Sequence, residues 1–181
     1  MNLTKTFLSK LFALLLLSSI ISCKNKVVHE PTTEHIALEI AEKQLNENLK
    51  MYETVWDDIL NNREIDKINE TNFDPDIKMI SATENIVGIK DFKAYYQNYL
   101  TGFSNIEFTI VDVFGQGDKI VKHWIFKGTH TGEFFGIPAS GKDVDIDGVT
   151  LVKMKDGKIA QEQDFMDNLS FYQQLGLIPV E

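Results

Sequence analysis

Gly128-Thr129-His130-Thr131-Gly132-Glu133-Phe134-Phe135-Gly136-Ile137-Pro138-Ala139-Ser140-Gly141-Lys142 is the stretch on which the fold turns. Its glycines and its proline mark a sharp connection between two strands. Before it, residues 119–131 are rich in β-branched and aromatic side chains and read as a strand. After it, residues 143–154 read as a second strand, and residues 159–166 as its hairpin partner across Asp156-Gly157. Upstream, residues 106–114 form a further strand that ends at the turn Gly115-Gln116-Gly117-Asp118. Residues 169–175 close the chain as a short helix or turn.

The N-terminal half has a different period. Ile36, Ile40, Leu45, Leu49, Tyr52, Trp56, Ile59 and Leu60 recur at helical spacing and predict a long helix over 35–61 with one broad apolar stripe. A short helix over 64–70 is expected next. Pro75 then punctuates the chain, and residues 76–81 suit a short strand. Phe92, Tyr96, Tyr99, Leu100 and Phe103 return to helical spacing over 89–103, with Gly102 near the end, where glycine often terminates a helix. Helical segments followed by antiparallel strands predict an α+β domain, with one curved sheet wrapped over three N-terminal helices.

Residues 1–23 stand outside this domain. Lys5 and Lys10 supply a positive start, and an apolar run of about a dozen residues follows, too short to span a bilayer as a helix. Ile20-Ile21-Ser22-Cys23 resembles a bacterial lipobox, in which the cysteine is lipidated; the plainer alternative is an ordinary secretory signal. Cys23 is the only cysteine, so no intrachain disulfide forms. Residues 24–34 are polar, contain Pro31 and read as a tether, leaving 35–181 as one domain. The expected location is therefore the cell envelope, through a lipid anchor at Cys23. The formal charge is −9, and loss of Lys5 and Lys10 makes the mature chain more acidic still. Such acidity argues against nucleic acid and anionic lipid surfaces as partners.

Glu162 and Asp164 are two residues apart and share one face of the last strand. Facing solvent, they are ordinary surface carboxylates. Facing a pocket, desolvation and mutual repulsion raise at least one pKa and provide a general acid/base. The Asp156-Gly157 turn decides what lies opposite. A two-residue turn pairs Lys155 with Lys158 and sets Val149 against Asp164. A three-residue loop pairs Met154 with Lys158, setting Thr150 against Glu162 and Gly148 against Asp164. The second register is the expected one, because small residues beside carboxylates leave room for a ligand. It gathers Val149, Leu151, Ile159 and Phe165 on the opposite, apolar face.

His130 shares a face with Trp124, Phe126 and Gly128, and is either a hydrogen-bonding structural residue or a catalytic one. Trp56, Tyr95, Tyr96 and Tyr99 are either core or the lining of a pocket between helix and sheet, with hydroxyls as polar handles. Trp124, Phe126 and Thr150 join Trp56, Tyr96 and Tyr99 as candidate ligand contacts. Asp143-Val144-Asp145-Ile146-Asp147-Gly148 matches the start of a calcium loop, but the twelfth position is Met154 and not glutamate. These aspartates read as the solvated face of an edge-like strand. No metal-ligand spacing, phosphate loop, dinucleotide fingerprint or nucleophile elbow is found, so neither metal nor cofactor is expected.

From Asn46 to Gly176 the chain resembles the SnoaL-like polyketide cyclase family, also labelled ester cyclases, of the nuclear transport factor 2-like superfamily. The resemblance is carried by Trp56, Gly128-Thr129-His130-Thr131-Gly132, Gly136-Ile137-Pro138, Ser140-Gly141-Lys142, Gly157-Lys158-Ile159, Glu162-Gln163-Asp164, Asp167 and Gln174-Leu175-Gly176. It implies a cone-shaped α+β barrel, with a strongly bent, mostly antiparallel mixed sheet around an apolar pocket. It further implies dimerisation through the outer sheet face. The resemblance makes Asp164 the acid/base of an intramolecular aldol condensation. The family's histidine on the preceding strand is replaced here by Thr150, which does not titrate near neutral pH.

Three functions compete at this point. The first is acid/base catalysis on a small apolar carbonyl compound, with Asp164 moving the proton, Glu162 tuning it, and His130 or a tyrosine holding the enolate oxygen. The second is a non-catalytic module binding a hydrophobic small molecule at the envelope. The third is an interaction protein that uses the outer sheet face.

Overall fold

The first helical stripe forms helix α1, Thr33–Leu60, in the computed structural model, which describes residues 32–179. The chain divides into two units, 1–35 and 36–181. Residues 1–23, Cys23 included, lie outside the described residues, as do residues 24–31 of the expected tether; Thr33 and Glu34, expected in that tether, already belong to the helix. Within α1 the buried positions are Asn48, Tyr52, Val55, Trp56, Ile59 and Leu60. Ile36 and Ile40, expected to extend that stripe, are exposed. The helix expected over 64–70 is only a single 3-10 turn, Ile65–Lys67, after which Ile68 enters the core.

Strand β1, Phe73–Met79, starts before Pro75 and not after it. It runs parallel to the last strand, meeting it at Phe73↔Ile159 and again at Lys78↔Gln161. Proline has no N–H for the ladder, and the irregularity between these two contacts spans it. Strand β2, Ile86–Val87, was not apparent from sequence and hydrogen-bonds to the end of β1. Helix α2, Ile89–Gly102, follows. Gly102 is there for space rather than for a left-handed cap: a Cβ would stand 2.9 Å from the Phe134 Cβ.

Strands β3 (Phe103–Gln116), β4 (Lys119–His130), β5 (Asp143–Lys155) and β6 (Lys158–Met166) make a continuous antiparallel run. The sheet order is β2-β1-β6-β5-β4-β3, a six-stranded mixed sheet that stays open at its edges. Helix α3, Asn168–Leu175, completes the fold. Among the described residues two helices therefore precede the main strands, and the third comes last, capped by Asp167 at its start and by left-handed Gly176 at its end. Its Gln174 accepts from the Asp145 N–H at 2.6 Å and donates to the Asp145 carbonyl at 3.0 Å. This side chain satisfies the free edge of β5 where β6 does not reach, so residues 143–147 are indeed edge-like.

The β5–β6 hairpin corrects the expected register. Asp156 and Gly157 both have positive φ, 50° and 76°, forming the two-residue turn that pairs Lys155 with Lys158. The register then shifts: Met154 pairs with Ile159, but Lys153 pairs with Gln161. Ala160 is the extra residue. Beyond it Val152 faces Glu162, Thr150 faces Asp164 and Gly148 faces Met166. Both carboxylates share the Thr150 face, as expected, but each partner lies two residues from the expected one. Ile159 precedes the bulge and is buried, so it does not join Leu151 and Phe165, which are exposed on the outer face.

The inner face of the sheet meets the aromatic faces of the helices. Trp56 packs edge-on against Phe73 of β1, and Tyr99 packs edge-on against Phe126 of β4. These contacts bury large aromatic areas and position the site.

Candidate active site

Alternation on β4 sends Ile120, Lys122, Trp124, Phe126 and His130 inward. On β5 it sends Val144, Ile146, Thr150 and Val152 inward. The helices supply Trp56, Tyr96 and Tyr99. Between them lies a cleft of about 40 Å³. Trp56, Tyr96, Tyr99, Trp124 and Phe126 line it, together with the carboxylate of Asp164. Leu60, Phe108, Ile146 and Met166 complete its apolar wall, and Lys122 is its other charged residue.

Asp164 is oriented from behind. The Trp124 indole N–H donates to Thr150 Oγ1 at 2.9 Å, and the Thr150 hydroxyl donates to Asp164 Oδ1 at 2.5 Å. Thr150 is fully buried and does not itself line the cleft. Because its oxygen accepts from tryptophan, its own proton is committed to the carboxylate. Asp164 Oδ2 receives no hydrogen bond among the described residues, and Asp164 is only partly buried.

Glu162 lies deeper and is fully buried. Its Oε1 accepts from Tyr52 and, at 3.1 Å, from the Trp56 indole; its Oε2 accepts from Tyr96 at 3.2 Å. Burial pushes its carboxyl up to about 7, with the Asp164 charge adding to the rise and Lys122 and the tyrosines opposing it. Both protonation states can be accommodated. The ionised form accepts three hydrogen bonds, and the neutral form can donate from Oε2 to the Tyr96 oxygen. Tyr52 and Tyr96 are held well above the usual tyrosine range, chiefly by burial and then by the two carboxylates, so they remain protonated donors.

Lys122 was not singled out in the sequence. Its Nζ stands 4.6 Å from the Trp56 ring centre, 5.2 Å from Tyr52 and 5.3 Å from Phe108, an aromatic box for a cation. Burial pushes its pKa down, against the pull of Glu162 and Asp164. The available signal was its alternation with Trp124 and Phe126, which puts a lysine on an inward face.

His130 is fully buried but is not part of the cleft. Its ring lies tilted against Phe103, with ring centres 5.3 Å apart, and meets the edge of Phe134. Nδ1 lies 3.1 Å from the Ser140 hydroxyl and 3.3 Å from the Ser140 N–H. Nε2 has no hydrogen-bond partner among the described residues. The His130 N–H donates to Lys142 O, and its carbonyl accepts from Gly141. His130 thus clamps the loop from 131 to 142 onto the end of β4.

A family profile described as SnoaL-like polyketide cyclase matches residues 47–175. Aklanonic acid methyl ester cyclase DnrD of Streptomyces peucetius is 39% identical over 49 residues, 27% of this chain. That match spans about a third of the relative's length, 34%. Among solved structures, a protein of Jannaschia sp. CCS1 assigned as a SnoaL-like polyketide cyclase superposes with a TM-score of 0.67 at 24% identity, covering 74% of this chain and 94% of that one. TsrD of Streptomyces laurentii superposes with a TM-score of 0.64 at 23% identity, over 75% and 97% of the two chains. At these identities the structural matches establish the fold alone.

Proposed function

The chain belongs to the SnoaL-like polyketide cyclase family, and from that premise we propose that it is an acid/base catalyst of the cyclase or isomerase type, acting through Asp164 on a small carbonyl compound. The observation that carries this reading is a carboxylate aimed into an aromatic cleft, with one oxygen fixed by the Trp124–Thr150 relay and the other left for a ligand. Asp164 takes a proton from the carbon beside a carbonyl. The electron pair passes to the carbonyl oxygen as an enolate. That enolate either attacks a second carbonyl of the same molecule or is reprotonated elsewhere. Thr150 and Trp124 are positioning residues. Glu162 lies behind the wall of the cleft and acts through the charge it carries. His130 has no part in this assignment. The sequence of residues 1–23 supports action at the cell envelope, anchored through Cys23.

Exchange of carbon-bound protons in D2O tests this reading with surrogate compounds in place of the natural substrate. A panel of small ketones and 1,3-dicarbonyl compounds is followed by NMR with native protein and with Asp164→Asn. Positioned proton transfer contributes roughly 10²- to 10⁴-fold, so exchange of at least one compound should fall by that order in the variant. Exchange at the buffer rate throughout, or a fully active Asp164→Asn, would sink the proposal.

A second reading is a binding module for a hydrophobic small molecule. It is favoured by Thr150 standing where the family's titrating histidine is expected, and by the modest size of the cleft. It predicts saturable binding that is indifferent to Asp164→Asn.

A further inference from the structure

Lys122 is a buried lysine with an incomplete set of partners. Residue exposure is 3%, yet its Nζ makes neither a hydrogen bond nor an ion pair within 4 Å to any of the described residues, and its contacts are the faces of three rings. An ammonium has three N–H donors, and leaving them without acceptors in an apolar setting is costly. Aromatic faces balance part of the charge but accept no strong hydrogen bond. Glu162 does not fill the gap, because its hydrogen bonds come from Tyr52, Trp56 and Tyr96. Asp164 is tied to Thr150. Both Lys122 and Asp164 face the same cleft.

We infer that Lys122 is the oxyanion-binding residue of the cleft, and that its ligand is a compound carrying a delocalised enolate oxygen. The binding claim is independent of Asp164; only its catalytic consequence rests on the function proposed above. Charge conservation explains the pairing. When Asp164 accepts a proton it becomes neutral, and the negative charge it carried reappears on the ligand oxygen. A fixed cation beside that oxygen stabilises the new charge without displacing any partner, because Lys122 has no protein anion to release.

The test uses a matched pair of one ring skeleton: 1,3-cyclohexanedione, which is ionised at neutral pH, and its neutral enol methyl ether, larger by one methyl. Binding is read by quenching of Trp56 and Trp124 fluorescence. Native protein should prefer the anion by about tenfold or more, the scale of a hydrogen bond to a charged group. Lys122→Met should lose the preference while still binding the ether, and Lys122→Arg should keep part of it. Asp164→Asn should keep the preference even though it loses proton exchange, so failure of the two readings is distinguishable. The 15N signal of the native Lys122 amine gives a measurement independent of variant folding, and should shift with the anion but not with the ether. Equal binding of the pair by native protein, a preference retained in folded Lys122→Met, or an amine signal blind to the anion would each overturn the inference.

Discussion

Glu162 is the residue whose chemistry is most open to measurement. Its carboxyl is raised from 4.5 to about 7 by burial. Between these values the folded protein holds a proton that the unfolded chain has released, so stability falls as pH rises through that window and levels off above it. The full effect is up to about 3 kcal/mol. Glu162→Gln keeps an acceptor for Tyr52 and Trp56 and places its amide toward Tyr96, mimicking the protonated acid. Urea unfolding at a series of pH values should therefore show a decline in native protein that is absent from Glu162→Gln. Parallel pH profiles for the two would assign the raised value to some other cause. The pairing of Glu162 with Asp164 was visible in sequence because a spacing of two fixes a shared face. Lys122 lay on an equally readable face, beside Trp124 and Phe126. It escaped notice because lysine is almost never fully buried, and that expectation outweighed the alternation.

At the scale of elements, Gly148 shows how closely the sheet is fitted around the relay that orients Asp164. A Cβ there would stand 2.4 Å from Trp124 Cζ2 and 2.8 Å from the Phe165 carbonyl oxygen. The strand is hydrogen-bonded to both neighbours at this point, so the backbone does not move aside freely. Gly148→Ala should cost about 1–3 kcal/mol, as overpacking of a core does, and should turn the Trp124 indole away from Thr150. Thermal unfolding reads the first effect, and near-ultraviolet circular dichroism reads the second. An unchanged melting curve and aromatic spectrum would mean that Trp124 yields at no cost. Long periodic segments were legible: α1, α2 and β3 to β6 lie where their patterns predict them. The short helix over 64–70 failed because a few helical residues without a packed face gain too little to hold more than one turn. The Ala160 bulge was illegible for another reason. It is set by simultaneous demands from the Asp156-Gly157 turn and from the parallel contact with β1, and neither is encoded at Ala160 itself.

At the scale of the whole molecule, the unexplained surface is the outer face of the sheet. Phe114 pairs with Val121, and Val121 with Leu151, so the three lie in a row across β3, β4 and β5. Phe114 is 57% exposed and Leu151 43%, and Phe165 on β6 is 52% exposed on the same side. An apolar row of this kind, beside the aspartates at 143, 145 and 147, of which Asp145 pairs with Lys127, suits a second copy of the same chain better than a lipid surface. The formal charge of −9, made more negative when Lys5 and Lys10 are removed with residues 1–23, sets the conditions of the test. Two acidic copies repel at low ionic strength, and salt screens that repulsion while leaving apolar burial intact. Sedimentation of protein lacking residues 1–23 should therefore show association that strengthens as salt rises. Leu151→Glu should hold the protein monomeric at every salt concentration, with its cleft unaffected, because Leu151 points away from the cleft while its neighbour Thr150 points toward it. Association that weakens with salt, or persists in Leu151→Glu, would move the contact to the charged helix surfaces and away from this face.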